Sequence, residues 1–510
     1  MKLNVFCVPS SEVSNLKSKL ALSRMDVLKT VDQDGWHGHF YYSSNPGESK
    51  IPWAETFRTY FGESELPTNK NYFAAFVLQK EDRCYVLSYG KTHFYLRTYC
   101  DYDFGIELAK RIANERDIKQ TASRRFQGTR KKDIKSFASN TRLDVESGES
   151  LDYLQASIIP GKKEVFGKSG KFGTSALLSV DLLPSGIGEF LSKLDLTLAE
   201  EARFPIPRTT IVTDREEIDK YDQLLVDELM GPVGTTDFTH NTFDLYGVDF
   251  IFSNDGTFKI RCPKYDEVEL EDLTMKDLKQ YIGTQGVARE DVLGIKIVHQ
   301  QEGQSPYSKS LKEAVDFIAD DERVLLTGGK WMRFNQDYLN FLDEYLSGIR
   351  VEEVEAEFRD ITLPEPEFNS SQAVADAGYE SADKNFSIFR TRASTPIEAW
   401  DLKKDKTVYA VKFGTPQKLG YVCDQALTIL ELLRNRAGVK QIPEFDSYCL
   451  WLGYRAQARL DDISATGSII LKQKIETWAR KSRELGIEPV LKISRKLKAG
   501  VDDTAHESAA

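Results

Sequence analysis

Cysteine is scarce and dispersed: six occur in 510 residues, at Cys7, Cys84, Cys100, Cys262, Cys423 and Cys449, with no C-x-x-C pair. A disulfide framework or a structural zinc site needs closer grouping, so reduced and mostly buried thiols are expected. Histidine is equally sparse, and of the six only His37 and His39 (GWHGHF) stand close together. Two residues apart on a strand they share a face, but the sequence places no further ligand beside them, which argues against a metal centre there. No apolar run approaches the roughly 18 residues of a membrane helix, and the N-terminus lacks the apolar core and cleavage site of a signal peptide. The expectation is a cytoplasmic protein without membrane contact. Basic excess is missing as well, since the net charge is −11. A whole-protein field for gripping nucleic acid is thereby excluded, and any such contact needs a local patch.

One such patch is present. Residues 110–142 hold eleven Lys or Arg against three acids, densest at Arg124, Arg125, Arg130, Lys131 and Lys132. Phosphate neutralisation by these five would give salt-dependent nucleic-acid binding; the plainer alternative is a solvated loop and helix face. Nearby, GKKEVFGKS suggests a phosphate loop, but five residues separate Gly161 from Gly167 where four are needed. Nucleotide hydrolysis is set aside on that spacing.

Periodicity divides the chain into an α+β multidomain protein. Residues 1–105 form an N-terminal antiparallel-sheet domain, with NYFAAFVLQK, RCYVLSYG and THFYLRTY as successive strands after a short helix in SSEVSNLKSKLALS. A basic helix and loop segment follows over 106–175, including the helix DFGIELAKRIAN. The middle α+β domain spans 176–350. Its expected helices are GEFLSKLDLTL, EIDKYDQLLVDELM, LTMKDLKQYIG and LKEAVDFIADD, with FDLYGVDFIFS and TFKIRC forming a hairpin about Asn254-Asp255-Gly256. In RVLLTGGKWMRF a Gly-Gly turn joins two strands, and Trp331 reads as a core anchor. Residues 351–366, acidic with Pro364 and Pro366, read as a linker. The C-terminal domain is 367–495, with a fraying tail over 496–510.

The chemistry concentrates in that last domain. IEAWDL reads as a strand with Glu398 and Asp401, LKKDKT as a hairpin turn, TVYAVKF as a strand with Lys412, and the next segment as a helix with Gln425. This order outlines a divergent restriction-endonuclease-like core of the PD-(D/E)xK type. In such a core two or three acids hold Mg²⁺ and a strand lysine positions or polarises the attacking water. Alternation puts Tyr409, Val411 and Phe413 on one face and Val408, Ala410 and Lys412 on the other. Glu398 or Asp401 can face Lys412, but not both without a bulge. The departure is Ala410, which stands where the final acid of the signature belongs, two residues before the lysine. A methyl group cannot ligate Mg²⁺, so ligands must come from Asp424 or Glu431 on the helix and Glu367 or Glu380 at the opening of the domain.

The landmarks YFAAFVLQKEDRCYVLSYGKTHFYL, DYDFGIELAKRI, FGKSGKFGTSALL, VLLTGGKWMRFNQDYL and the IEAWDL–TVYAVKFG hairpin resemble a sporadically distributed bacterial family of unknown function, about 500–600 residues long. Its members lie near restriction, toxin, phage-defence and mobile-element genes. Such members read Glu-x-Cys-Asp-Leu-Leu and His-Val-Lys in the two strands; here Trp400 and Ala410 replace the cysteine and histidine, and the Ser-His pair that follows is missing. The resemblance implies a defence or toxin-type protein acting on nucleic acid, a metal-dependent nuclease if the site is active. Lys412 and Gln425 would then be catalytic, and Glu398, Asp401, Asp424 and Glu367 would be the Mg²⁺ ligands. The competing implication is a non-catalytic sensor that recognises nucleic acid or a phage protein and works through a protein partner in a defence complex.

Overall fold

The computed structural model describes the chain from Met1 to Leu497 except residues 45–47, 63, 91, 126–131, 232–247, 251–256, 272, 301–306, 320–321, 383–388, 391–395, 398, 436–443, 456–459 and 461. It is mixed α+β and divides into two compact units: residues 1–124 with 131–210, and residues 125–130 with 211–510.

The first unit is built on one ten-stranded sheet. Its elements are β1 (Lys2–Cys7), α1 (Val13–Leu22), β2 (Asp26–Gln33), β3 (Trp36–Tyr42), β4 (Ala74–Lys80), β5 (Arg83–Tyr89), α2 (Phe104–Ile112), β6 (Ala113–Arg125), β7 (Lys132–Thr141), β8 (Glu149–Ile158), β9 (Ser169–Phe172), β10 (Ala176–Ser179) and α3 (Ile187–Leu198). The strands run β2-β3-β4-β5-β1-β10-β9-β8-β6-β7. Successive residues of β4 go to opposite faces: Phe76 and Leu78 meet α2 and α3, while Ala75 and Val77 meet α1. Both faces are buried, which is why AAFVL is continuously apolar rather than alternating.

Two expectations are corrected here. THFYLRTY is not a strand. Gly90, at φ +66°, ends β5, and the chain closes a helical turn at His93–Leu96 with Leu96 fully buried. The Thr92 hydroxyl, which lies within hydrogen-bonding distance of the Ala74 and Tyr89 carbonyls, fixes that turn. The helix expected at the start of the basic segment is α2, but the described residues after it are the strands β6 and β7 rather than helix and loop, with Ile118 and Ala122 of β6 buried in the sheet; residues 126–131 lie outside the described residues.

The second unit opens with α4 (Arg215–Met230), β11 (Val248–Phe250), β12 (Thr257–Arg261), β13 (Val268–Leu270), α5 (Met275–Gln285), β14 (Lys296–Gln300), β15 (Tyr307–Ser310), β16 (Val315–Ala319), β17 (Val324–Thr327), β18 (Lys330–Phe334) and α6 (Gln336–Ser347). One sheet carries the neighbours β18-β17-β16-β11 and a second runs β13-β12-β14-β15. The turn between β17 and β18 is Gly328-Gly329, both at positive φ, as a tight hairpin requires. Trp331 is 2% exposed, and its indole N–H donates to Asp222 at 2.7 Å. The expected helix LKEAVDFIADD stops at Ala314, and Val315–Ala319 pairs with β17 instead. Its Val, Phe and Ile suit a pleated core strand, and tertiary pairing overrides the helical spacing. Nor do β11 and β12 form a hairpin, because β11 pairs with β16 and β12 with β13 and β14.

The remaining elements are β19 (Arg350–Val351), β20 (Asp360–Ile361), α7 (Glu365–Asn369), β21 (Glu380–Ser381), β22 (Leu402–Lys404), β23 (Thr407–Gly414), α8 (Pro416–Asn435), β24 (Ser447–Tyr454), α9 (Ile469–Glu484) and β25 (Glu488–Lys496). The sheet runs β19-β25-β24-β23-β22-β21, with β20 also on β25. β23, β24 and β25 are parallel, joined through α8 and α9, while β22 and β21 are antiparallel. Residues 351–366 are part of this sheet rather than a linker. β19 and β20 pair with β25, and Val354, Phe358 and Ile361 are buried. Acidic composition suggested exposure, yet Val354, Phe358 and Ile361, spaced by four and three, face inward while Val351 and Leu363 stay exposed.

Candidate functional site

The β22–β23 hairpin forms about the two-residue turn Asp405-Lys406, with Asp405 at φ +51°. Tyr409, Val411 and Phe413 share a cluster with Trp451, as alternation requires. The preceding segment is not one continuous strand. Trp400 and Asp401 lie between Pro396–Ile397 and β22, both buried. Trp400 stacks edge-on against Phe445 at 5.3 Å. Asp401 turns its carboxylate onto the backbone N–H of Val411 at 2.7 Å, continuing the ladder where the strand has broken.

Lys412, half-buried, donates to Glu365 of α7 at 2.9 Å. Glu367, two residues on, is exposed. Asp424 on α8 pairs with the buried Lys474 of α9; Gln425 is exposed. Glu398 lies outside the described residues. The hairpin therefore brings one predicted acid, Asp401, beside the lysine strand, and it adds Glu365, which no motif in the sequence marks.

Whether Mg²⁺ suits this set follows from the donors. One Glu365 oxygen is held by Lys412 and one Asp401 oxygen by an amide, while Ala410 offers a buried methyl. Among the described residues no group of three or more His, Cys, Asp or Glu is placed to hold a metal ion. The described residues do not fit the two-to-three-acid ligand set that such chemistry needs.

The carboxyl ends of the parallel strands carry a different chemistry. Gly414, Tyr454 and Arg495 stand in register, so Arg455 and Lys496 follow side by side in the next row. The backbone of Arg455 is tied to Gly414 O at 2.9 Å. Burial, and after it the charge of Arg455, lowers the Lys496 ammonium below its ordinary value. Lys496 reaches three backbone carbonyls, the shortest at 2.7 Å to Thr362. Lys418 leans over Gly414: a Cβ there would come within 2.9 Å of its side chain. Arg455 and Lys496 thus stand together at the edge where open parallel sheets bind ligands, while Lys412, three residues back in register, is paired to Glu365.

A second constellation was hidden in the supposed linker. Lys492 on β25 is fully buried, 2.8 Å from Glu352 and 2.7 Å from Glu355, and it donates to Tyr379 Oη at 2.6 Å. Its ammonium sits 4.6 Å from the Trp451 ring centroid, a cation–π contact. Tyr409 donates to Glu352, Tyr379 to Glu355, and Lys404 approaches Glu355 at 3.4 Å. Burial pushes the Glu355 carboxyl up, but hydrogen bonds from Lys492, its own backbone and Tyr379 prevail and bring it to about 2. Burial raises both phenols, Tyr379 and Tyr409. The available signal was a lysine in the middle of the apolar run PVLKIS, which requires an acidic partner if buried.

In the basic stretch, Arg124 is bound to Asp152 at 2.6 Å and to Tyr102 Oη at 3.1 Å. Arg125, grouped with the second unit, lies 3.5 Å from the buried Glu476. Arg130 and Lys131 lie outside the described residues, as does the side chain of Lys132. All six cysteines are free, and five are buried. No helix among the described residues is long and apolar enough to cross a membrane.

No curated protein matches the chain, and no solved structure does. The model of DUF6119, a family of unknown function, matches residues 10–444, and the chain belongs to that family.

Proposed function

We propose that the C-terminal part of the second unit binds nucleic acid by its phosphates on a nuclease-like strand arrangement, without cleaving it. The observation that carries this reading is the pair of cations at the ends of β24 and β25, where Lys496 is depressed by burial and then by the charge of Arg455. Two like charges held together are stabilised by an anion that bridges them, and a phosphodiester supplies one at each nucleotide. Of the described acids beside the lysine strand, Glu365 is occupied by Lys412 and Asp401 by the Val411 amide. A sensor or binding subunit of a defence complex fits this division of labour.

The test is fluorescence anisotropy with labelled DNA and RNA at several salt concentrations. Neutralising Arg455 and Lys496 to Gln is expected to weaken binding and to flatten the log–log salt slope by about one for each phosphate no longer neutralised. An unchanged slope would remove this edge from the interface.

A hydrolytic reading keeps one observation in its favour: Glu365 and Asp401 both lie against the Lys412 segment. In it Lys412 would orient water. Incubation with DNA and RNA in Mg²⁺ or Mn²⁺ decides between the two, since cleavage lost in Lys412→Ala would make this a working nuclease.

A further inference from the structure

Away from that edge, β2 and β3 pair with Asp32 opposite His37 and Thr30 opposite His39. Alternation puts both imidazoles on one face of the sheet. Each is anchored through the same ring atom. His37 Nδ1 lies 2.9 Å from the Asp32 carboxylate, and His39 Nδ1 lies 3.2 Å from the Thr30 hydroxyl. A carboxylate only accepts, so in neutral His37 the Nδ1 carries the proton and the Nε2 lone pair is left outward. Thr30 can accept from His39 in the same way. Metal-binding histidines are prepared by this arrangement, with the far nitrogen fixed by a carboxylate or hydroxyl that sets the tautomer.

The two rings border an open cavity of about 560 Å³ that also touches Lys17, Gln79, Lys80 and Glu81. Its two cations are both engaged: Lys17 donates to Gln79 within the lining at 2.6 Å, and Lys80 lies 5.9 Å from the Trp36 ring centroid. Asp32 and Glu81 leave the rim without a positive excess.

We propose that His37 and His39 form a two-histidine site for a first-row transition ion that favours imidazole, such as Ni²⁺, Cu²⁺ or Zn²⁺, bound through Nε2 of each ring. The remaining coordination positions go to water or to an acidic group of a ligand. Two nitrogen donors select such ions over Mg²⁺ and Ca²⁺, which prefer oxygen. Asp32 acts as a positioning residue.

Isothermal titration of the full chain with Ni²⁺, which spares the thiols from oxidation, tests this directly. One saturable equivalent is expected, lost in both His37→Ala and His39→Ala and weakened ten- to a hundredfold in Asp32→Asn, with Mg²⁺ giving no heat that the histidine variants remove. His37 and Asp32 are 70% and 67% exposed, so His37→Ala and Asp32→Asn should keep the parent melting temperature, and a melt of His39→Ala, which is half-buried, separates loss of the site from loss of the fold. Ni²⁺ uptake unchanged in the histidine variants, or no saturation below about 1 mM, overturns the site. Wild-type affinity in Asp32→Asn overturns the role given to the carboxylate.

Discussion

Replacing Lys492 by Met removes the one cation that is fully buried between Glu352 and Glu355, while keeping most of the side-chain volume against Trp451. Breaking a buried pair from one side leaves an uncompensated charge and costs about 3–5 kcal/mol. Glu355 provides an independent scale. Lowering its carboxyl from 4.5 to about 2 corresponds to about 3 kcal/mol, which its 28% exposed side chain reduces to about 2 kcal/mol through solvent screening. Because the folded-state value is depressed, this contribution is complete above about pH 4.5 and is lost as pH falls toward about 2. The variant is therefore expected to be least stable relative to the parent at neutral pH, with the gap narrowing in acid. Hydrogen exchange on peptides covering 350–361 and 488–496 reads the local loss, and urea unfolding reads the global one. The triple change Lys492→Met, Glu352→Gln, Glu355→Gln should cost less than Lys492→Met alone, since no charge is stranded. Equal costs for the single and triple variants, or a gap indifferent to pH, would refute the account of this cluster as a charge-balanced clamp.

Two further outcomes follow from the same geometry. Gly167→Ala is expected to destabilise the first unit by several kcal/mol, because φ is +83° and a Cβ would stand 2.0 Å from Ser179 O; a thermal melt within a degree of the parent would show that the backbone can yield. Millimolar Mg²⁺ or Mn²⁺ should leave the wild-type melting temperature unchanged, whereas a rise that grows with the logarithm of metal concentration would reveal a site the described carboxylates do not form.

Read alone, the sequence identified the local elements whose signals are self-contained. These are the amphipathic α1, α2, α3, α4 and α5, the Gly328-Gly329 turn, the β22–β23 hairpin, and Trp331 as an anchor. It also offered Glu398 or Asp401 as the acid facing Lys412; Asp401 instead takes the Val411 amide, and Glu398 lies outside the described residues. Each of the local elements depends on contacts within a few residues, where periodicity and turn chemistry are decisive. Long-range pairing was hidden from it. Val315–Ala319 became a strand because β17 lay open to it, and residues 351–361 became sheet because β25 did. The partner of Lys412 turned out to be Glu365, and Lys492 drew Glu352 and Glu355 across more than a hundred residues of chain. Which acid meets which amine is settled by strand order and register, and those are properties of the packed sheet rather than of any segment within it.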